Sequence, residues 1–471
     1  MSFGSLELLV LFLPLVYLLH WLGPRRRGYQ NGLLLGASYL FFACSTPTLL
    51  WIVLASTAAD WIVLRAFDRV PAGPSRRTLL AAALLANLGT LAFFKYAGFF
   101  DLHVLVPLGL SYWTLQKVGT LLDVYHTRLE APRSLLDFAL FVSFFPQLTA
   151  GPIGRAGKLL PQLASPRSFS LDDLQAGAGQ LLLGYVLKFF LAEAFAQWLV
   201  DPIFSGAVPA SRLGHWAALF GYAGQIFSDF AGYSALAIGC GRLFGIELPV
   251  NFDYPYLSKS VREVWQRWHI SLNTWLFDYL YGPLVTSKGW FRGRLDLGFL
   301  LVFLVSGVWH GALWTFVAWG ALHGVGLIVH RRWDEAYRGL CKKDRAWVAR
   351  RKTFAYRAVA WFVTQAFFVL TLIPFRAPTG EATLRFLRGL VSGTGGGTLP
   401  AVPHLFALVA VAVGAAFLVV FHLLELRRGR WLRERLFALP APVRGVAYGL
   451  LIVFLFIFMP VASGTFIYGQ F

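Results

Sequence analysis

Two histidines sit where ionisable groups are costly. His310 lies in LVSGVWHGALWTFV, residues 304–317, inside an almost uncharged run from Leu297 to Val329. His269 lies about forty residues earlier, in VREVWQRWHISLNTWLFDYLYG, which begins at Val261. Ionisable residues inside apolar runs of spanning length usually face protein or a cavity, and they mark function by default. Imidazole is cheaper there than a carboxylate because it can stay neutral. A neutral imidazole can take the proton of a hydroxyl as that hydroxyl attacks an acyl carbon. A core histidine bonded to a backbone carbonyl accounts for the pattern at His310 equally well.

Other chemistries lack their signatures. HxxxH, HExxH and paired cysteines are absent, so no metal site is predicted. There is no GxSxG and no Walker loop. GCGRLFG, from Gly239, follows an apolar segment rather than a strand and does not read as a dinucleotide site. Cys44, Cys240 and Cys341 are far apart, which gives neither a disulfide framework nor a supported nucleophile.

The elements that must hold the histidines are membrane helices. The 471 residues are 57% hydrophobic and 14% charged, against about 25% charged in soluble domains. Candidate spans are 5–22, 31–46, 47–66, 78–97, 135–149, 174–203, 216–247, 296–309, 312–330, 354–375, 402–424 and 445–465. The length rule gives about 10 to 13 crossings, some pieces being short enough to be re-entrant. The expected fold is all-α and polytopic, one transmembrane domain over residues 1–471. No polar segment is long enough to bury its own core. The net charge of +19 falls in short loops, as the positive-inside rule expects, and does not point to nucleic acid. The basic loops from Arg331 and from Glu425 should face the cytoplasm. The Gly- and Pro-rich stretch 392–403 and the C-terminus should then lie outside. Arg25, Arg26 and Arg27 follow the first apolar run, which predicts a retained first span with an extracytoplasmic N-terminus. No internal repeat of the kind transporters often carry is visible.

At helical spacing, Val261, Trp265, Trp268, Leu272, Trp275 and Tyr279 form one apolar stripe, with Arg262, Gln266, His269 and Asn273 on a polar stripe beside it. Asp278 lies near the centre of neither. The pattern fits an interfacial amphipathic helix, and it fits a helix whose polar face lines a wet cavity. Gly311 allows either a helix break or a close backbone approach after His310. If the run is two short spans, His310 sits at their turn; if it is one tilted helix, His310 is mid-membrane. His323, in GALHGVG, is the closest rival to His310, and His330 abuts Arg331 and Arg332 at the interface.

These stretches carry a family resemblance. LFLPLVYLLHWL, ASYLFFACSTPTLL, LAFFKYAGFF, PLGLSYWTLQKVGTLLDVY, FFPQLTAGPIGRAGKLLPQL, FSDFAGYSALAIGCGRLFGIELPVNFDYPYLSKSVREVWQRWHISLNTW and VWHGALWTFVAWGALHG occur in that order up to about residue 330. Together they resemble the membrane-bound O-acyltransferases, in the bacterial branch that acetylates alginate, with teichoic-acid D-alanylation as a cousin. RWHISL and WHG together are specific; the last third matches mainly in hydropathy.

The resemblance implies a helical bundle around a central tunnel, with the family's near-invariant histidine at His310 and its second polar position at His269. It implies an acyl donor from the cytoplasm, acetyl-CoA or a carrier-protein thioester, with no tightly bound cofactor. The acceptor hydroxyl would come from outside. The phosphates of the donor would meet Arg262, Arg267 and Lys259, and its pantetheine arm would pass Trp265 and Trp268. Asn273 and Trp309 complete the expected substrate contacts. A separate periplasmic transferase would be the partner, and the bacterial inner membrane the location. Two departures touch the donor side: Phe277 stands where the family often has arginine, and PLVTSKGW where it often has PLGG. A precursor transporter, a non-catalytic assembly platform, and acylation of lipids, peptidoglycan or secreted proteins are the alternative readings.

Overall fold

Helices carry the whole architecture, and no strand occurs among the described residues. The computed structural model describes residues 5, 7–100, 102, 104–148 and 151–393, with scattered positions between 412 and 453. The predicted spans 402–424 and 445–465 fall largely outside the described residues, as do the stretch from 394 onward, the basic loop from Glu425 and both chain ends. Among the described residues, four helical stretches are long and apolar enough to cross a membrane: Pro47–Ala66, Pro74–Tyr96, Leu171–Phe204 and Phe354–Arg376. Shorter apolar helices run Glu7–Leu22 and Leu295–His310. The chain is an all-α, multi-pass membrane protein.

The chain divides into two units: Met1–Gly184 with Tyr233–Val250, and Tyr185–Gly232 with Asn251–Phe471. The first contains a helix that the span list omits, Leu110–Tyr125, most of whose residues are buried. Gln116, Lys117 and Asp123 dilute its hydropathy, yet Lys117 is fully buried because its ammonium lies 3.0 Å from the Asp60 carboxylate. Gly109, just before this helix, has φ 66°, and a Cβ there would fall 1.7 Å from the Leu148 carbonyl oxygen, so only glycine fits. The predicted span 135–149 also needs correction. A helix runs Leu135–Ser143, Phe144 interrupts it, and a short turn Phe145–Leu148 follows. A buried polar cluster joins the same unit: the Asn31 amide donates to Asp137 (2.7 Å) and to the Leu163 carbonyl (2.9 Å), while Arg167 donates to the Asn31 oxygen (2.8 Å).

In the second unit the run around His310 is a helical hairpin, Leu295–His310 followed by Trp314–Lys343. Asp296, at the start of the first helix, accepts from Arg331 at 2.7 Å and Arg332 at 2.9 Å on the second, which aligns the two helices antiparallel. Between lipid-exposed helices van der Waals fit, not water exclusion, drives association, and small residues permit it. A Cβ on Gly307 would lie 2.3 Å from the Phe316 carbonyl oxygen, and one on Gly320 would lie 2.2 Å from that of Phe303. Backbone cannot swing aside as a side chain can. Gly320→Ala is therefore expected to cost about 1–3 kcal/mol or more by overpacking and to displace the walls around His310. Gly339→Ala, in open space on the same helix, should be neutral or stabilising by up to about 1 kcal/mol. Thermal stability of the two variants in detergent checks this, and equal stability would refute it.

Candidate active site

The segment around His269 starts as a capped helix. Ser260 Oγ accepts from the Glu263 amide (3.1 Å), and the Glu263 carboxylate accepts from the Lys259 amide (2.8 Å), a variant of the capping box. The helix runs Val261–Arg267 and stops; another begins at Ile270 and runs to Leu276. The continuous helix expected from the spacing is thus broken at His269, whose backbone is left-handed at φ 45°, ψ 50°. Histidine tolerates that region better than most side chains, but it still costs about 1–3 kcal/mol and needs surrounding structure to hold it.

The holder is the irregular stretch that starts at Asn251. The Asp253 amide donates to the Arg267 carbonyl and the Ile270 amide donates to the Asn251 carbonyl, both at 2.9 Å. The Asn251 side-chain oxygen accepts from the Ser271 amide (3.1 Å) and hydroxyl (2.8 Å), and lies 3.2 Å from His269 Nδ1. Groups orphaned by the break are so partnered. Sequence reading missed Asn251 altogether; its place inside LPVNFDYPY, eighteen residues before His269, gave no periodic signal.

The break scatters the expected polar stripe while the apolar one survives. Arg262 and Gln266 are exposed, Asn273 is half-buried and His269 is buried. Trp265, Trp268, Leu272 and Trp275 are all buried. Trp268 packs against Phe252 and Phe368, with ring centroids 5.1 and 5.2 Å away, so it anchors the core. Trp265 donates from its indole to His323 Nδ1 (3.3 Å), and His323 Nε2 lies 3.0 Å from the Thr371 hydroxyl, which donates to the Phe368 carbonyl. Both ring nitrogens of the rival His323 are therefore committed to a buried chain of hydrogen bonds.

His310 is the last residue of its helix and sits at the hairpin turn, the two-span arrangement of the alternatives above. It is 4% exposed. Gly311 after it is extended, and a Cβ there would strike the Phe316 ring at 2.5 Å. The rings of Trp309 (4.9 Å), Trp319 (5.1 Å) and Phe375 (5.2 Å) surround the imidazole. His269 meets the same Trp309 ring at 6.3 Å and Phe230 at 4.6 Å. Both histidines thus approach one indole, with their ring centres no more than about 11 Å apart.

Arg262 and Arg267 do not join this centre. Arg262 acts electrostatically on Tyr281 and His330, and Tyr281 also feels Asp296 and Arg331, which puts it at the basic end of the hairpin. His310 is at the other end of the Leu295–His310 helix, a rise of roughly 22 Å at 1.5 Å per residue. Arg267 is engaged nearer home, by Glu263 at 3.1 Å and Asp253 at 3.6 Å. No group of three or more histidine, cysteine, aspartate or glutamate residues that could hold a metal occurs among the described residues.

Residues 78–373 match the model of the membrane-bound O-acyltransferase family. A probable alginate O-acetylase of Azotobacter vinelandii is 38% identical over 350 residues, covering 70% of this chain and 69% of that one. A peptidoglycan O-acetyltransferase of Helicobacter pylori is 33% identical over 401 residues, 76% of this chain and 73% of its own. A teichoic acid D-alanyltransferase of Streptococcus thermophilus is 32% identical over 237 residues, 48% of this chain and 57% of that one.

Proposed function

We propose that this chain, which belongs to the membrane-bound O-acyltransferase family and is an O-acyltransferase, moves an acetyl group from a cytoplasmic thioester to a hydroxyl on the extracytoplasmic side. The observation that carries the reading is the pair of buried histidines whose rings both approach Trp309. His310 is the general base. It takes the proton of the acceptor hydroxyl as the oxygen bonds to the acyl carbon; the carbon–sulfur bond breaks, and the thiolate leaves to be protonated as free thiol. A positioned base contributes about 100- to 10,000-fold.

The donor is acetyl-CoA or an acetylated carrier protein, consumed as substrate rather than held as cofactor. Arg262 and Lys259 receive its phosphates at the basic end of the hairpin, where a guanidinium or ammonium suits them. The acceptor is an exopolysaccharide such as alginate, reached through a periplasmic transferase that completes the modification. Peptidoglycan is the second acceptor reading, supported by the Helicobacter relative. The location is the bacterial inner membrane, both termini outside. A reporter fused to the C-terminus tests that topology: an extracytoplasmic signal is expected, and a cytoplasmic one overturns it.

Thiol release tests the reaction. The protein in proteoliposomes, given acetyl-CoA, should liberate CoA thiol in proportion to added polysaccharide and periplasmic fraction. Release only from a carrier-protein thioester would reassign the donor. Polysaccharide movement without thiol release would replace the reading by transport.

A further inference from the structure

We infer that Asn251 is a positioning residue that fixes the proton of His269 on Nδ1, so that Nε2 meets a substrate as a hydrogen-bond acceptor. The inference rests on the reading of this centre as the site of acyl transfer. The Ser271 backbone amide can only donate, and it points at the Asn251 side-chain atom 3.1 Å away. That atom is therefore the amide oxygen and not the nitrogen, an assignment that usually has to come from such a network. The Ser271 hydroxyl donates to the same oxygen at 2.8 Å. His269 Nδ1, 3.2 Å from this oxygen, must then be a donor as well. A neutral imidazole has one N–H, so Nε2 carries a lone pair.

Nε2 is buried and has no hydrogen-bond partner among the described residues. A buried acceptor left unpaired costs about 1–3 kcal/mol, which a substrate N–H or O–H would offset. The left-handed backbone at His269 and the Asn251 clamp hold the ring beside the Trp309 wall it shares with His310. Polarising the thioester carbonyl would need N–H at Nε2, which the neutral ring lacks while Nδ1 donates. Two substrate groups supply the matching donor, the amide N–H of a pantetheine arm and a hydroxyl of the acceptor next to the reacting one.

The test uses the full chain, labelled with ¹⁵N-histidine, in lipid nanodiscs. The His269 signals are assigned by their loss in His269→Gln. A protonated Nδ1 and a bare Nε2 are expected at neutral pH; a proton on Nε2 overturns the inference whatever the activity. Asn251→Leu removes the acceptor and should lower kcat at least about 100-fold, since a misplaced imidazole proton costs up to about 10,000-fold in a comparable dyad. Asn251→Asp keeps an acceptor for both Nδ1 and the Ser271 amide, and should regain at least about tenfold over the leucine variant with Nε2 still bare. Asn251→Leu with its proton moved to Nε2 and full turnover would also overturn it. If that variant does not fold, the wild-type and Asn251→Asp spectra still decide. In His269→Phe, a raised KM for acetyl-CoA identifies the pantetheine amide as the donor, and a lowered kcat at constant KM identifies the hydroxyl. Full activity in His310→Ala would refute the catalytic reading and leave the spectral result standing on its own.

Discussion

Changing His310 to alanine or glutamine is expected to remove ester-linked acetate from the surface polysaccharide of the native host, with the protein still present in its membranes at the wild-type level. Loss of a general base should slow transfer about 100- to 10,000-fold, or about 3–5 kcal/mol of barrier. The glutamine variant matters because it keeps polar volume inside the ring of Trp309, Trp319 and Phe375 while lacking a basic nitrogen. A packing role for His310 would let glutamine recover what alanine loses. A catalytic role leaves both inactive. His323 supplies the contrast from the same hairpin. Its two ring nitrogens are already bonded to Trp265 and Thr371, so His323→Ala should cost about 1–3 kcal/mol of stability through those lost bonds while each folded molecule keeps working. Acetate that survives in His310→Ala and disappears in a well-folded His323→Ala would reverse the two assignments.

Sequence patterning reached the site unevenly, for reasons that lie in the range of each signal. The apolar character of the run was legible because hydropathy acts locally, while Gly311 allowed either a hairpin or one tilted helix, and the structure has the hairpin. The hydrogen bonds that occupy His323 were not legible, since one of them comes from Thr371 on the Phe354–Arg376 helix. The apolar face of the tryptophan-rich segment survived because burial tolerates a break. Its polar face did not, because the break at His269 is imposed by Asn251 from outside the helix. The Leu110–Tyr125 helix was missed for a related reason. A hydropathy window counts Lys117 as a charge, whereas the folded chain presents it with Asp60. The family resemblance pointed to the two histidines, and only the three-dimensional contacts separate Trp268, which packs against Phe252 and Phe368, from Trp309, whose ring both histidines approach.

That Lys117–Asp60 pair gives the second large effect. Lys117 is fully buried on Leu110–Tyr125, with its ammonium 4.8 Å from the centre of the Trp113 ring. Asp60, on Leu50–Ala66, also accepts from the Asn87 amide at 2.8 and 3.0 Å, and Asn87 belongs to Pro74–Tyr96. Three helices are therefore clasped by one carboxylate. Removing one side of such a pair strands the other charge and typically costs about 3–5 kcal/mol. Lys117→Met and Asp60→Leu should each lower stability by that amount, read as the unfolding midpoint in detergent. The double variant should be more stable than the two losses together predict, because an apolar pair of similar volume is often neutral where a half-pair is not. Recovery should stay incomplete, since Asn87 would lose its carboxylate and keep only its bond to the Ala83 carbonyl at 2.9 Å. Strictly additive losses would mean that the two charges do not depend on each other. Coupling would mean that polar groups specify how these helices meet, a task that apolar contact performs poorly in lipid, where a tail is as apolar as a leucine.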